Sequence, residues 1–188
     1  MAKVKFGLKN VYVAVATIAA DGSATYGTPL AVPGAVSLTL DPEGETTPFR
    51  ADNIDYWTSV SNNGYSGSIE LALVPDEFRQ QILGEVVGGN GLQYEKVVNS
   101  AVHAALMFQV ENDVNATRHV FYNCVFNRPG AGSETTPTGG IEPLTETMDI
   151  TASSVFVAAL DADVVKAKCT TGDAAYADFF TSVVLPTV

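Results

Sequence analysis

The chain has 188 residues and a formal net charge of −11, from ten basic and twenty-one acidic side chains. That balance excludes tight nucleic-acid binding, which relies on lysine and arginine to neutralise phosphates. Hydrophobic residues make up 46% and charged residues only 16%, below the usual quarter, which suits a chain that buries surface against other subunits.

The length fits one domain, 1–188, with room for a substantial core. No apolar run reaches the roughly eighteen residues of a spanning helix, so no membrane partner is expected. The opening MAKVKFGLKN lacks the apolar core and cleavage site of a signal peptide, so synthesis in the cytoplasm is expected.

Val4, Phe6 and Leu8 alternate with Lys3, Lys5 and Lys9 around Gly7, which predicts a strand or extended arm with one cationic side. Val11 to Ile18 is a near-continuous β-prone run, expected to be buried on both faces. Asp21-Gly22 marks a tight turn, and Tyr26 to Val32 a short strand ending at the Pro33-Gly34 turn.

Val36, Leu38 and Leu40 then alternate with Ser37, Thr39 and Asp41. Tyr65, Gly67, Ile69, Leu71 and Leu73 alternate likewise with Ser66, Ser68, Glu70 and Ala72. Between these strands the spacing predicts a long loop over 41–59, carrying Asp41, Glu43, Glu45, Phe49, Asp52, Asp55, Tyr56 and Trp57. Long loops inside compact domains are uncommon, and three aromatics argue against plain disorder. Such a loop suits docking outside its own subunit; folding back over its own sheet is the alternative.

Pro75 to Leu83 predicts a helix, with Pro75 in the first turn, Asp76 and Glu77 near its start and Gly84 just past its end. Phe78, Ile82 and Leu83 share one face and should lie on a sheet. After the flexible GGNG at 88–91, Val102 to Val110 and Thr117 to Phe126 read as strands joined by a hairpin loop over 111–116. The Gly-, Pro- and Thr-rich stretch 127–143 reads as a second long loop. Strands follow at Leu144 to Ile150, with Thr145, Thr147 and Asp149 outward, and at Val155 to Leu160. Tyr176, Phe179, Phe180 and Val183 fall at helical spacing, predicting a second short helix within 173–184. The fold class is mainly β: a two-sheet sandwich or open barrel-like fold with one or two short helices.

The phrases AVPGAVSLTLDPEGETTPFRADNIDYW and SNNGYSGSIELALVPDEFRQQILGE, with the opening KVKFGLKNVYVAV, resemble the major tail proteins of long-tailed, non-contractile phages of Gram-positive hosts. The likeness runs across roughly the first half of the chain. It implies a structural virion protein located in the tail. Hexameric rings of that protein would stack into the tube that conducts DNA during ejection, alongside tape-measure and tail-terminating proteins. DNA would pass without specific binding, since an acidic wall repels phosphates.

Chemistry for catalysis is hard to assemble from these residues, and the chain reads as a non-enzyme without cofactor. His103 and His119 fall on adjacent strands and could approach one another, but no cysteine or third histidine stands at ligand spacing, so no metal is expected. Asp41, Glu43 and Glu45 mimic part of a calcium loop without its glycine or distal glutamate. Cys124 and Cys169 match no metal or redox spacing and are expected as reduced, buried thiols.

Contacts between subunits are expected from Lys3, Lys5 and Lys9 meeting the acidic loop, namely Asp41, Glu43, Glu45, Phe49, Asp52, Asp55 and Trp57. Guarding an exposed strand edge is the alternative role for the lysines. A tube lumen would be lined by small or polar side chains, either Ser37 and Thr39 or Thr145, Thr147 and Asp149. The rival function is a monomeric β-sandwich binding module for a carbohydrate or peptide, with Tyr56 and Trp57 as its aromatic platform.

Overall fold

The structure, a computed structural model, describes residues 6–97, 100–135, 139 and 143–188. It is mainly β, with a large open sheet and smaller ones, as the alternating runs require. The first half holds β1 (Leu8–Ile18), β2 (Ala24–Tyr26), β3 (Leu30–Ala31), β4 (Ala35–Glu43), β5 (Thr46–Ala51), β6 (Ile54–Val60) and β7 (Gly64–Leu71), then helix α1 (Asp76–Gln81). The second half holds β8 (Val86–Val87), β9 (Gln93–Tyr94), β10 (His103–Val110), β11 (Arg118–Phe126), β12 (Glu146–Ser153), β13 (Val155–Val157), β14 (Ala162–Val164) and β15 (Lys166–Cys169).

Nine strands form one sheet in the order β2-β1-β10-β11-β12-β7-β4, with β15 added on β11 and β3 on β1. All its pairings are antiparallel. The sheet curls until β1 touches β4, yet the two are not hydrogen-bonded, so the barrel stays open. The concave side holds the main core: Val11 and Val13 from β1, Ile69 and Leu71 from β7, Leu106, Phe126, Met148 and Ile150. Helix α1 plugs it with Phe78, whose ring meets Phe126 edge-on at 5.3 Å, and with Ile82 and Leu83 just beyond its end.

The helix is pinned by charge as well as by packing. Arg79 is paired with Glu146 of β12 and lies 3.4 Å from Glu85, while the Glu146 carboxylate also accepts the Val74 amide at 2.6 Å. Gly84 adopts φ +74°, the left-handed geometry of a helix stop.

On the opposite side of β1, β10 and β11 lies a second core of Ala14, Met107, Val120, Tyr122, Val155, Val157 and Phe179. Residues of β1 thus serve both cores, as a run buried on two faces should. The C-terminal segment covers this side. Arg118 reaches 3.6 Å from the Tyr176 ring centroid and 4.6 Å from that of Phe180, and it donates to the Tyr176 carbonyl. Phe180 stacks on Tyr12 at 4.9 Å, and the Tyr122 hydroxyl donates to the Val184 carbonyl at 2.9 Å.

The structure departs from the sequence expectations at three places. The long loop over 41–59 is a β-hairpin, β5 paired with β6, because its residues are β-prone and close on a two-residue turn. The second helix is a single 3-10 turn, Ala174–Tyr176; its aromatic residues pack around Arg118 and Tyr12 without needing a continuous helix. Val36 does not join Leu38 and Leu40 inward, since a bulge between Ala35 and Ser37 turns it to solvent. The stretch over 127–143 shows no regular structure in its described part, and residues 136–138 and 140–142 lie outside the described residues.

Candidate functional site

The hairpin β5–β6 continues the β4–β7 pair outward. Main-chain bonds from Ser61 to Glu45 (2.9 Å) and Asn63 to Glu43 (2.8 Å) bridge the two halves. At its root the backbones approach closely: a Cβ on Gly44 would stand 2.2 Å from the Ser61 carbonyl oxygen, so only glycine fits there. At its tip Asp52 and Asn53 both have positive φ, 52° and 63°. That matches a type I′ turn, whose twist suits two-residue hairpins and which Asp and Asn tolerate.

The arm has two unlike faces. Phe49 stands directly across from Trp57, and Ala51 from Ile54. On the other face Arg50 pairs with Asp55 at 3.2 Å, and Pro48 faces Thr58. Phe49, Ile54 and Trp57 are each 60% exposed, and Tyr56, displaced by a bulge, is 70% exposed. None of them belongs to either core. Water thus meets a row of large apolar side chains on a surface that its own chain does not cover.

A second surface is polar. On β4, β7 and β12 the side chains facing away from the main core align in three rows. The rows are Ser37–Glu70–Thr147, Thr39–Ser68–Asp149 and Asp41–Ser66–Thr151. Glu70 accepts from Ser37 of the first row at 2.9 Å and from Thr145, just before β12, at 2.6 Å. These hydrogen bonds, Thr145's first, hold the Glu70 carboxyl below the usual carboxylate range. Ser66 donates to Glu43 in the same way. The rows carry Asp41, Glu70 and Asp149 and no basic side chain.

Both sets of residues offered as lumen candidates, Ser37 and Thr39 and Thr145, Thr147 and Asp149, therefore meet on one face. Sequence spacing could not join them, because β12 is far from β4 in the chain and only the strand order brings them together. Ser66, Ser68 and Thr151 complete the face. Ile54 and Val60 extend the arm's exposed apolar surface, and the Asp52-Asn53 pair between β-prone runs was the readable sign of a hairpin there.

Of the lysines, Lys9 lies 3.4 Å from Glu111 of its own chain, and Lys3 and Lys5 lie outside the described residues. The histidines do not approach one another. His103 Nδ1 is 2.6 Å from Asn123 Oδ1, whereas His119 stacks on Phe108, five residues further along β10. Among the described residues no group of three or more His, Cys, Asp or Glu could hold a metal ion. Both thiols are free and buried, and burial pushes Cys124 up to about 12. No described helix is long and apolar enough to cross a membrane.

Among curated proteins none matches the chain. A family model described as phage tail tube protein matches residues 1–186, nearly the whole length. The family is a structural one, placed in the virion's tail, where self-association into a tube with other tail components is implied. The match spans nearly the whole chain, and the chain belongs to the phage tail tube protein family.

Proposed function

We propose that copies of this chain form hexameric rings that stack into a hollow tube, and that DNA passes through it during ejection. The observation that carries the reading is the arm's apolar face, exposed and outside both cores. Burying it against another copy removes large apolar area from water. The edge of the sheet supports the same conclusion. Among the described residues β4 is hydrogen-bonded only to β7, so beyond its contact with β1 its outer edge carries main-chain groups that lateral pairing round a ring would satisfy.

In that arrangement the β4–β7–β12 face lines the channel. Asp41, Glu70 and Asp149 put negative charge on it, which repels phosphates, while hydroxyl groups keep it wetted. DNA would then slide without sticking. The subunit contacts expected of Glu45, Phe49, Asp52, Asp55 and Trp57 belong to the arm. Those of Asp41 and Glu43 belong to its root, and those of Lys3, Lys5 and Lys9 to the N-terminal strand. Tape-measure and tail-terminating proteins are the further partners.

Excising the arm tests the reading. Replacing residues 45–61 with an Asn-Gly turn should leave a folded monomer with the parent's circular dichroism and no tubes in negative-stain images. Tubes formed by the armless chain would overturn the arm's role. A wild-type chain that stays monomeric at any concentration and binds a sugar or peptide at Tyr56 and Trp57 would favour a binding module.

A further inference from the structure

The two ends of β7 carry unlike surfaces that the chain itself leaves uncovered. We infer that the far end of β7 in one copy, apolar and acidic, seats on the near end of β7 in a second copy, aromatic and basic. This rests on the tube reading above and names a contact in which the arm takes no part.

The near end is built from β7, β10, β11 and β15. Lys166 of β15 lies 4.4 Å from the Tyr65 ring centroid. Lys168, two residues on, shares that side of the strand. It stands across from His119, whose ring stacks on Phe108 at 5.1 Å. Tyr65 and Phe108 are half-buried, and both lysines are exposed. Lys9, Arg50, Arg79 and Arg128 each pair with a carboxylate of their own chain. Lys166 and Lys168 have none within ion-pair distance among the described residues. In a chain of net charge −11, two neighbouring cations left unmatched call for a carboxylate from outside.

The far end supplies carboxylates. β7 ends at Leu71, which faces Glu146, and the same register places Leu144 across from Leu73. On the other side Ala35 faces Leu71, and the bulge there turns Val36 to solvent. Val36, Leu73 and Leu144 are each more than half exposed and belong to neither core. Asp76 and Glu77 follow, exposed and outside the ion pairs of the described residues.

Placement and chemistry fit a second copy. Tyr65 and Leu71 stand about 20 Å apart along an extended strand, so the two surfaces cannot meet within one chain. Brought together from two chains, lysines face carboxylates and aliphatic side chains face aromatic rings. A contact of unlike surfaces does not close on itself in a pair but repeats from copy to copy, as a polymer requires.

Carbodiimide crosslinking of assembled wild-type protein tests this, because the reagent joins only amines and carboxylates already in contact. Tubes are grown from equal parts of unlabelled and heavy-isotope-labelled chain, and the joined peptides are read by mass spectrometry. Mixed-label links from Lys166 or Lys168 to Asp76 or Glu77 are expected. Tubes in which these lysines link only to other carboxylates, or to none, would overturn the contact. Lys166→Glu with Lys168→Glu should raise the concentration needed for tubes by about tenfold or more at low salt, with a smaller effect at high salt. Adding Asp76→Lys and Glu77→Lys to that chain should bring the concentration back, and no recovery would count against the pairing. Lys168→Glu alone leaves Lys166 on the Tyr65 ring, so it should keep the wild-type melt and still weaken assembly. An unchanged concentration in that variant would make the lysines mere guards of the β15 edge and overturn the contact. If wild-type chain grows no tubes, the tube reading falls and this contact with it. If tubes grow and the crosslinks lie elsewhere, only this contact falls.

Discussion

Replacing Trp57 with alanine separates folding from assembly more cleanly than any other single change. Trp57 is 60% exposed and lies outside both cores, so the monomer loses little. Its stability should change by no more than about 0.5 kcal/mol. Assembly should lose far more. A tryptophan side chain offers roughly 200 Å², so the exposed 60% amounts to about 120 Å². At about 25 cal/mol per Å² its burial in a subunit contact contributes about 3 kcal/mol. That corresponds to roughly a hundredfold rise in the concentration at which tubes appear. Phe49 stands directly across from Trp57, so the double alanine variant should fall short of the sum of the single effects. Thermal melts at low concentration report on the fold, and pelleting across a concentration series reports on assembly. A Trp57→Ala chain that polymerises at the wild-type concentration, or that melts many degrees lower, would refute the reasoning.

Other changes probe the body of the subunit. Glu70 has its pKa lowered by hydrogen bonds from Thr145 and Ser37, so its contribution is present above the unfolded pKa and is lost as pH falls through the lower folded value. The stability gap between wild type and Glu70→Gln, followed by melts from pH 7 down to about 3, should therefore shrink toward zero at the acid end. Glu146→Ala removes the partner of both Arg79 and the Val74 amide and should cost about 2–3 kcal/mol in urea unfolding. Gly67→Ala would place a Cβ 1.9 Å from the Thr39 carbonyl oxygen, and should destabilise by about 2 kcal/mol or more while changing no exposed surface. Arg118→Ala strips the C-terminal segment of its contacts with Tyr176 and Phe180, and limited proteolysis should then release that segment well before the sheet is cut.

Much of the fold was legible because burial enforces pattern. The β1 run, the alternation in β7 and β12 and the helix at 76–81 all follow from which side chains must leave water. The arm escaped that logic. Phe49, Ile54 and Trp57 alternate on strands with no buried face in their own chain, so they resembled a loop rich in aromatics until the Asp52-Asn53 turn is weighed. The spacing of Tyr176, Phe179, Phe180 and Val183 mimicked a helix. The segment instead meets its packing through Arg118 and Tyr12, which local spacing does not reveal. The polar face was half legible. Each strand showed its outward hydroxyl groups, but joining Ser37 and Thr39 to Thr147 and Asp149 needed the strand order, which depends on pairings between distant parts of the chain.

The most direct test of the account is an electron cryo-microscopy map of the assembled wild-type protein, detailed enough to trace β4, β7 and β12. A hollow tube is expected, with Thr39, Ser68 and Asp149 facing the channel and the β5–β6 arm buried against another copy. A tube lined by the opposite side of the sheet, or one whose arms project free into solvent, would contradict it.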